Sequence, residues 1–246
     1  MKMSKTRLYV EKKLSSNIMI HIKNKQLHFL KNVLRIKIQE NILVFDGLTG
    51  EWLSKVVSIN RDNIVLQIIK KTKELKFETD VWLIFAPIKL FRMNITIQKA
   101  TELGISRFLA CITQNTNQPK INIRNLKMNI IEAAEQSERL SLPSIEEPIK
   151  IEKLLENFPK DRCLIFCNES HENLPIIHEA LSNKIDQYAK WAILIGPEGG
   201  FTNIEVEKIL SLPSTISVSL GKRILRSDTA TTAAIFSLQS LLESKK

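Results

Sequence analysis

The residues best suited to chemistry lie in two short glycine-bearing segments near the C-terminus. The chain has only seven glycines in 246 residues, and four of them fall within 195–201 and 220–223. Each segment follows an apolar run typical of a buried strand. Glycine lets the backbone approach a ligand closely or adopt a positive φ, and open α/β sheets bind ligands beyond the carboxyl ends of their strands. The segments therefore predict a ligand cradle at adjacent strand ends; a tight connection without a ligand is the alternative.

The same segments lack the signatures of two common nucleotide sites. Neither ends in the G-K-[ST] of a P-loop, and no G-x-G-x-x-G follows the first strand of the surrounding region. Thr202 and Glu205, three residues apart, match a capping box and predict a helix directly after the first segment. The predicted unit is a strand, a glycine loop and a helix, without the marks of triphosphate hydrolysis or dinucleotide binding.

From Val81 onwards, apolar strand-like runs alternate with helical periodicity. Gly104 and Pro143 are stop signals for the first two helices. The alternation predicts an α/β fold with a mostly parallel sheet covered on both faces. The predicted strands are 81–86, 108–112, 163–167, 191–195 and 216–220, and the predicted helices are 91–103, 126–139, 205–210 and 229–242.

The first third of the chain is predicted to be mostly β. Only residues 28–35 have helical spacing there, and a small closed sheet suits so many short strands. Residues 70–80 are charged and aperiodic, which predicts a linker. We therefore divide the chain into domains 1–72 and 73–246. The predicted strands of the first domain are 8–10, 18–22, 42–45, 52–59 and 64–69.

Basic charge is concentrated in the first domain. Lys and Arg outnumber Asp and Glu by 36 to 26 over the whole chain, a formal charge of +10. Residues 1–72 hold 14 basic and 5 acidic residues, a balance of +9. This asymmetry favours a polyanionic partner such as RNA, and a charge that serves only solubility is the alternative.

Composition argues against several other classes of protein. No stretch of about 18 apolar residues is free of charge, and the basic N-terminus lacks the apolar segment of a secretory signal. Three cysteines are an odd number, which favours a reducing compartment; Cys163 and Cys167, in an apolar run, are predicted to be structural. No metal is expected, because metal-ligand spacing is missing among the histidines His21, His28, His171 and His178.

Two C-terminal motifs, IGPEGGF at 195–201 and SLGKRILRSDTA at 219–230, resemble those of the ribosomal small-subunit methyltransferase E family of the SPOUT superfamily. Their order, spacing and length agree with the family. These enzymes methylate N3 of a uridine in 16S ribosomal RNA with S-adenosylmethionine. Further landmarks that look like those of the family are HFLKNVLR at 28–35, VFDG at 44–47, QKATELGI at 98–105 and EAAEQSERLSLP at 132–143.

The resemblance implies a fold and partners that periodicity alone would not suggest. Residues 1–72 would form a PUA-like, RNA-binding β-barrel, and residues 73–246 a SPOUT α/β domain with a deep trefoil knot, a rare topology. It also implies a homodimer with the pocket near the subunit interface. The expected partner is 16S ribosomal RNA or the small ribosomal subunit, and the expected location is the cytoplasm.

By this resemblance the glycine segments form the S-adenosylmethionine pocket. Backbone groups in such loops can bind an adenine edge and a ribose, while Ile and Leu pack against the purine. One wall would consist of Ile195, Gly196, Pro197, Glu198, Gly199 and Gly200. The other would consist of Leu220, Gly221, Ile224, Leu225 and Arg226.

Two pocket residues are candidates for the reaction itself. Arg226 would serve at the uridine or its phosphate, because a guanidinium is a fork for oxygen acceptors; capping a helix or strand end is the alternative. Glu198 would either contact the cofactor or substrate, or anchor its own loop. RNA phosphates, which position RNA without reading it, are expected to meet some of the basic residues of the first domain. The candidates are Arg7, Lys12, Lys23, Lys31 and Arg35.

Several positions depart from the family pattern. Asp228 replaces the usual Glu, and Glu138 replaces a common Gly. The loop after Cys111 lacks an Arg often found there, which puts one RNA or substrate contact in doubt. Glu102 and Glu135 are packing or knot-stabilising candidates, with an ion pair between Glu135 and Arg139 as the alternative for the latter.

The leading hypothesis is S-adenosylmethionine-dependent methylation of a 16S ribosomal RNA uridine at N3. Positioning and charge stabilisation near the weakly acidic N3–H would be the protein's task. One rival is another SPOUT activity, such as ribose 2′-O-methylation, which nucleoside mass spectrometry would distinguish. A second rival is a non-catalytic RNA-binding assembly factor, whose vestigial pocket would fail to bind the cofactor.

Overall fold

The computed structural model describes residues 6–118, 120–168 and 174–245. Its contacts divide the chain into two compact units. The first combines Met1–Phe77 with Ala134–Leu142, and the second combines Glu78–Ala133 with Pro143–Lys246. His171 lies outside the described residues.

A five-stranded sheet forms the first unit. Its strand order is β1-β3-β4-β5-β2, with β1 parallel to β3 and the other neighbours antiparallel. In the described part of the chain β1 and β2 form no ladder with each other, so the pairing seen does not close into a barrel. The strands are β1 (Arg7–Tyr9), β2 (Met19–Ile22), β3 (Asn41–Phe45), β4 (Glu51–Ile59) and β5 (Ile64–Lys73).

Both faces of β3 are buried, which explains the unbroken apolar run of its residues 42–45. Val44 packs into the main core of the unit, together with Leu30 and Leu66. Phe45 packs on the opposite side against Ala134 and Leu140, which belong to the second chain segment of the unit. An antiparallel sheet covered on one face only would alternate apolar and polar residues, so the covering segment accounts for the unbroken run.

Two predictions for the first unit need correction. The helix predicted at 28–35 begins earlier, as α1 (Asn24–His28), and continues as a π-helical turn, Phe29–Val33, before Arg35 takes a φ of 52°. The linker predicted at 70–80 is shorter, because β5 extends to Lys73, which pairs with Glu51. Pairing with a long neighbouring strand therefore outweighs the polar composition of this stretch.

The second unit contains a seven-stranded sheet that is parallel throughout, where the sequence predicted a mostly parallel sheet. The strand order is β12-β10-β11-β6-β7-β8, with β9 pairing separately with β7. Parallel central strands are buried on both faces, and β10 and β11 are accordingly apolar almost throughout. The strands are β6 (Val81–Phe85), β7 (Arg107–Ile112), β8 (Ser144–Ile145), β9 (Ile149–Lys150), β10 (Arg162–Cys167), β11 (Lys190–Ile195) and β12 (Thr215–Val218).

The helices of the second unit fall into two groups. One group comprises α2 (Leu90–Glu102), α5 (Ile177–Ser182) and α7 (Ser227–Glu243), and α7 contacts both other helices and β11. The other comprises α4 (Ile151–Glu156) and α6 (Asn203–Leu210), whose apolar residues pack on Ile84 and Leu194. The long α3 (Ile123–Ser137) begins in the second unit and ends in the first.

Short elements escaped the sequence-based prediction. The helices α4 and α5 have six residues each, and β8 and β9 have two each. Such lengths cover less than two turns or one alternation, so they carry no measurable periodicity. Within the described residues, none of the helices is both long enough and apolar enough to cross a membrane.

Candidate active site

The strands of the second unit are parallel, so the loops that follow their carboxyl ends lie at one edge of the sheet. Two of them contain the glycine segments: the glycine loop (196–201) follows β11, and the C-terminal loop (219–226) follows β12. We predicted that these loops leave adjacent strands, and this was wrong. Strand β10 lies between them, because β11 and β12 both pair with it. Sequence order does not reveal such an insertion.

At two positions of the glycine loop, the structure favours glycine for steric reasons. At Gly196, a Cβ atom would lie 2.6 Å from the ring of Phe201, which closes over this position and packs edge-on against Phe166. At Gly200, φ is 67°, and its N–H donates to the Pro197 carbonyl at 2.9 Å. The loop is therefore a tight turn from 197 to 200 that ends in a left-handed residue, which favours glycine.

Gly199 does not have a positive φ. The positive φ belongs to Gly200, and a Cβ on Gly199 would lie 3.2 Å from Cβ of Asn115. The side chain of Asn115, on the β7 loop (113–118), donates to the carbonyls of Gly199 at 2.9 Å and Gly200 at 3.1 Å. Gly199 is thus constrained by a neighbouring loop.

A complete capping box joins the glycine loop to α6, as predicted. The Thr202 hydroxyl accepts from the Glu205 N–H at 3.3 Å, and the Glu205 carboxylate accepts from the Thr202 N–H at 2.8 Å. Glu205 is buried and also accepts from the Gln114 N–H at 2.8 Å. One carboxylate therefore ties the start of α6 to the β7 loop.

Glu198 projects from the glycine loop to an arginine that the sequence analysis did not single out. Arg92, in the first turn of α2, donates to Glu198 at 3.1 Å. Both side chains are partly exposed, at 27% and 37% respectively. The ion pair ties the glycine loop to the element that follows β6.

Around Gly221 the C-terminal loop is open. Gly221 has a φ of 113°, no atom lies within 4 Å of where its Cβ would be, and its N–H donates to the Ser219 hydroxyl at 3.1 Å. Ile224 is 85% exposed, and Leu220 and Leu225 are partly exposed. The loop thus presents apolar side chains and backbone to open space.

Arg226 lies at the junction of this loop with α7. It is the N-cap residue, with extended backbone, and its carbonyl accepts from Ala230 at 2.7 Å. Its side chain is exposed and caps no backbone group, and it has no hydrogen bond or ion pair within the described part of the chain. The capping alternative therefore has no support in these contacts.

Asp228 lies in the first turn of α7, where a negative charge is favourable. Its Oδ1 atom is buried and finds no hydrogen-bond partner within residues 6–118, 120–168 and 174–245. Asn168, another residue that the sequence analysis missed, is buried directly after β10, the strand between β11 and β12, and its N–H donates to the Val218 carbonyl at 3.1 Å.

The candidate RNA contacts of the first unit do not form a uniform set. Arg7 is buried, and its guanidinium binds the buried Glu51, with Nε at 2.7 Å from the carboxylate, and the exposed Glu138 at 3.4 Å. Arg7 must therefore be corrected from a surface contact to an internal ion pair. The exposed candidates are Lys12, Lys23, Lys31 and Arg35.

Other singled-out residues are accounted for by local contacts. Glu102 pairs with Lys99 at 2.9 Å, and Glu135 accepts from the Tyr9 N–H at 2.8 Å. Cys111 is fully buried, and burial raises the pKa of its thiol to about 12, so it stays protonated at neutral pH. Within the described residues, no three His, Cys, Asp or Glu side chains are grouped as metal ligands.

A separate cavity of about 310 Å³ lies elsewhere in the second unit. Its lining includes Trp82, Arg107, Lys153 and Phe158, and none of it comes from the two glycine-bearing loops. The Arg107 side chain already has partners in this cavity, because it stacks on Trp82 and donates to Glu146 at 2.7 Å.

Comparison with known proteins places this geometry in a class. A family model described as an RNA methyltransferase domain matches residues 74–239, and one described as an RNA methyltransferase PUA domain matches residues 22–69. The first match covers more than half of the chain and includes both glycine-bearing loops. The chain thus has the domains of an RNA methyltransferase.

Similarity over the full length narrows this class to one family. The chain is 34% identical to the ribosomal RNA small subunit methyltransferase E of Rickettsia conorii, over 97% of both chains. It is 29% identical to the protein of the same name from Buchnera aphidicola subsp. Schizaphis graminum, over 95% of both. The chain belongs to the ribosomal RNA small subunit methyltransferase E family.

Solved structures agree with this assignment. The family member from Neisseria gonorrhoeae, crystallised with S-adenosylmethionine, matches with a TM-score of 0.80 and 27% identity, over 96% of this chain and 97% of that one. A methyltransferase of Legionella pneumophila has the same fold, with a TM-score of 0.84 and 23% identity, over 96% of this chain and 97% of that one.

Proposed function

We propose that this protein transfers a methyl group from S-adenosylmethionine to N3 of a uridine in 16S ribosomal RNA. The observation that carries the proposal is the pair of glycine-bearing loops at one edge of the sheet, in a chain of this family. A family member that is 27% identical was solved with S-adenosylmethionine bound. Fold alone would not support a substrate, so the proposal rests on these loops and on family membership together.

The loops fit a cofactor of this kind. Open space lies beside Gly200 and Gly221, where a Cβ atom would meet nothing within 4 Å. Exposed Ile224 and partly exposed Leu220 offer apolar surface for a purine, and backbone groups of both loops offer hydrogen bonds. Residues 195–200, together with Leu220, Gly221, Ile224, Leu225 and the main chain of Arg226, would hold it. When bound, S-adenosylmethionine supplies a methyl group attached to a positively charged sulfur.

Arg226 is the residue that we propose for charge stabilisation. Loss of the N3 proton leaves negative charge on the uridine carbonyl oxygens until the methyl group is transferred, and a guanidinium donates two parallel hydrogen bonds to such acceptors. The absence of internal partners for this side chain, in the described part of the chain, supports its availability to RNA. Glu198, by contrast, already binds Arg92, which supports an anchoring role for it.

RNA binding is assigned in this proposal to residues 1–72. The balance of +9 and the exposure of Lys12, Lys23, Lys31 and Arg35 support phosphate contacts there. The cytoplasm, where small ribosomal subunits are made, is the proposed location.

The trefoil knot and the PUA-like barrel stay proposals of the family resemblance. Support for the knot comes from chain order, since β12 lies at the sheet edge while α7, which follows it, packs against central β11 and α2. A crystal structure with the main chain traced continuously from 195 to 228 would decide it. The same structure would show whether β1 and β2 approach closely enough to complete a barrel.

A homodimer is the proposed assembly. Phe91 on α2 and Phe236 on α7 are 77% and 63% exposed, which is unusual for large aromatic side chains and supports a partner surface. Sedimentation velocity over a range of concentrations measures the assembly directly, and a single monomer species at micromolar protein would refute it.

The decisive test of function is methylated-nucleoside analysis. Ribosomal RNA from cells that lack the protein should lose 3-methyluridine at one position of 16S RNA, and purified protein with S-adenosylmethionine should restore it. Loss of a 2′-O-methylated nucleoside instead would mean another methyltransferase activity. Unchanged nucleosides, with no cofactor binding by calorimetry, would mean a non-catalytic RNA-binding protein.

A further inference from the structure

We infer that Asn115 is a positioning residue that holds the glycine loop in its observed shape and thereby sets the affinity for the cofactor. Asn115 lies on the β7 loop, outside both glycine-bearing segments. The inference deepens the proposed function, because it concerns the same cofactor site. It also makes a statement about the ligand-free protein, which can be tested separately.

The glycine loop cannot hold its own shape. Three of its six residues, Gly196, Gly199 and Gly200, lack side chains that would limit φ and ψ. Its internal turn is held by the bond from the Gly200 N–H to the Pro197 carbonyl. Ordering each flexible residue costs conformational entropy, so an unsupported loop would lose cofactor affinity. Contacts from outside the loop are therefore needed.

Asn115 supplies such contacts at the centre of the loop. Its Nδ2 lies 2.9 Å from the Gly199 carbonyl oxygen and 3.1 Å from that of Gly200. The peptide between Gly199 and Gly200 is then fixed on both sides, because its N–H bonds to Pro197. Two successive peptide planes are oriented by one carboxamide.

The β7 loop is itself ordered, so Asn115 presents its carboxamide from a fixed position. The Gln114 N–H donates to the buried carboxylate of Glu205. The Thr113 N–H donates to the Thr116 hydroxyl at 2.9 Å, and the two threonine hydroxyls are also 2.9 Å apart. A prearranged donor loses little entropy when it binds the glycine loop.

Arg92 makes the second outside contact with the glycine loop, but we rank it below Asn115. Its ion pair with Glu198 joins two partly exposed side chains, and such pairs contribute little because solvent screens them. Asn115, in contrast, binds the backbone at two adjacent glycines. Arg92→Gln should therefore weaken cofactor binding less than a change at Asn115.

Asn115→Asp is the sharpest test. It keeps the size of the side chain but replaces the donor with a carboxylate that faces two carbonyl oxygens. Asn129→Asp is the matched control, because the Asn129 carboxamide also donates to a backbone carbonyl, that of Asn94 at 2.8 Å, in the same unit. Both variants lose the same kind of bond, and Asn129 contacts neither glycine-bearing loop.

Two measurements on the full-length protein decide the inference. Calorimetry should show that Asn115→Asp weakens S-adenosylmethionine binding by about tenfold or more, while Asn129→Asp stays within about twofold of wild type. Hydrogen–deuterium exchange without cofactor should show faster exchange in the peptide that covers 196–205 for Asn115→Asp alone. Both variants should melt at similar temperatures.

The outcomes separate this inference from the proposed function. If the wild type binds the cofactor and the two variants bind it equally well, or if exchange at 196–205 is unchanged in Asn115→Asp, Asn115 is not a positioning residue. If the wild type binds no cofactor, the proposed function fails, and the exchange measurement alone still decides whether Asn115 orders the loop.

Discussion

At the scale of single residues, some side chains of the candidate site are bonded to other parts of the fold, and others are free to bind a ligand. Glu198 and Asn115 are engaged by the fold, whereas Arg226 is exposed and without a side-chain partner in the described part of the chain. A residue without internal bonds can be replaced with little effect on folding. Such residues are where loss of function and loss of stability can be measured independently.

Arg226→Ala should therefore lower single-turnover methylation by about 100- to 1,000-fold, the usual loss for one charge-stabilising donor. S-adenosylmethionine affinity and melting temperature should stay near the wild-type values. Arg226→Lys keeps the charge but not the planar fork, and should recover only part of the activity. Early melting, or loss of cofactor affinity in proportion to activity, would show that Arg226 supports the loop instead.

Glu138 is one of the residues that depart from the family pattern, and its contacts show how the structure accommodates it. It has a φ of 63°, just beyond the end of α3, where the family commonly has glycine, and its carboxylate binds Lys73 at 3.3 Å and Arg7 at 3.4 Å. Lys73 and Arg7 hold its pKa below the ordinary value. The ion pairs thus accompany a backbone conformation that disfavours side chains.

Comparing Glu138→Gly with Glu138→Ala isolates this strain. Both variants lose the ion pairs, but only glycine relaxes the left-handed backbone. Glu138→Gly should therefore melt at a higher temperature than Glu138→Ala, as measured by calorimetry at low ionic strength. Equal melting temperatures would mean that the left-handed conformation costs nothing here.

At the scale of elements, polar side chains cap a helix next to the glycine loop and a turn between two strands of the first unit. Thr202 and Glu205 cap α6 at the glycine loop. In the first unit, Asp46 caps the turn between β3 and β4 and accepts from the N–H groups of Leu14, Thr49 and Leu48. Each cap fixes a turn that the hydrophobic core alone would leave free.

Thr202→Ala should destabilise the protein by about 1 kcal/mol, the typical loss for an N-cap hydroxyl. Urea denaturation followed by circular dichroism measures this. Ser211→Ala is the control on the same helix, because Ser211 donates to the Lys208 carbonyl at an exposed helix end and should be nearly neutral. Equal effects of the two substitutions would contradict a special role for the capping box.

Asp46 makes stability depend on pH in a defined direction. Burial alone would raise its pKa, but the N–H groups of Leu14, Thr49 and Leu48 and the Thr49 hydroxyl outweigh burial and lower it. A lowered folded-state pKa stabilises the protein above the unfolded value of about 3.9, and this contribution disappears as the pH falls through the folded pKa.

Asp46→Asn should therefore be less stable than wild type at pH 7, and the difference should shrink as the pH falls below about 4. Denaturant titrations at several pH values measure the two curves. Asp62→Asn, in the exposed turn between β4 and β5, serves as the control. A difference between Asp46→Asn and wild type that is constant with pH would show that hydrogen-bond geometry alone matters.

At the scale of the whole molecule, charge and chemistry are assigned to different parts of the chain. The excess of basic residues lies in 1–72, while the glycine-bearing loops lie near the C-terminus. Phosphate contacts release counterions and give affinity without sequence specificity. Affinity for RNA and the rate of methylation should therefore be separable by mutation.

Replacing Lys12, Lys23, Lys31 and Arg35 together with Gln should weaken RNA binding and flatten its dependence on salt. Each phosphate contact to single-stranded RNA contributes about 0.7 to the slope of log affinity against log salt concentration. The matched control replaces four exposed lysines of the second unit: Lys127, Lys153, Lys160 and Lys208. Equal slopes for the two variants would show that the basic charge of residues 1–72 has no special part in binding.

The sequence by itself determined the local elements and the family. Apolar runs and 3.6-residue periodicity predicted the long strands and helices of the α/β region, and the Thr202–Glu205 spacing predicted the cap that the structure contains. These features depend on interactions between residues close in sequence, which is why a pattern reveals them. Two glycine-bearing motifs were specific enough to indicate the family, and the full-length comparisons agree.

Only the tertiary structure decided how distant segments meet. It inserted β10 between the strands that precede the two glycine-bearing loops, and it buried Arg7 against Glu51. It brought Asn115 to a glycine 84 residues away, and Arg92 to a glutamate 106 residues away. Strand order and such contacts are settled by packing of the whole core, and a sequence pattern records only which face of an element is apolar.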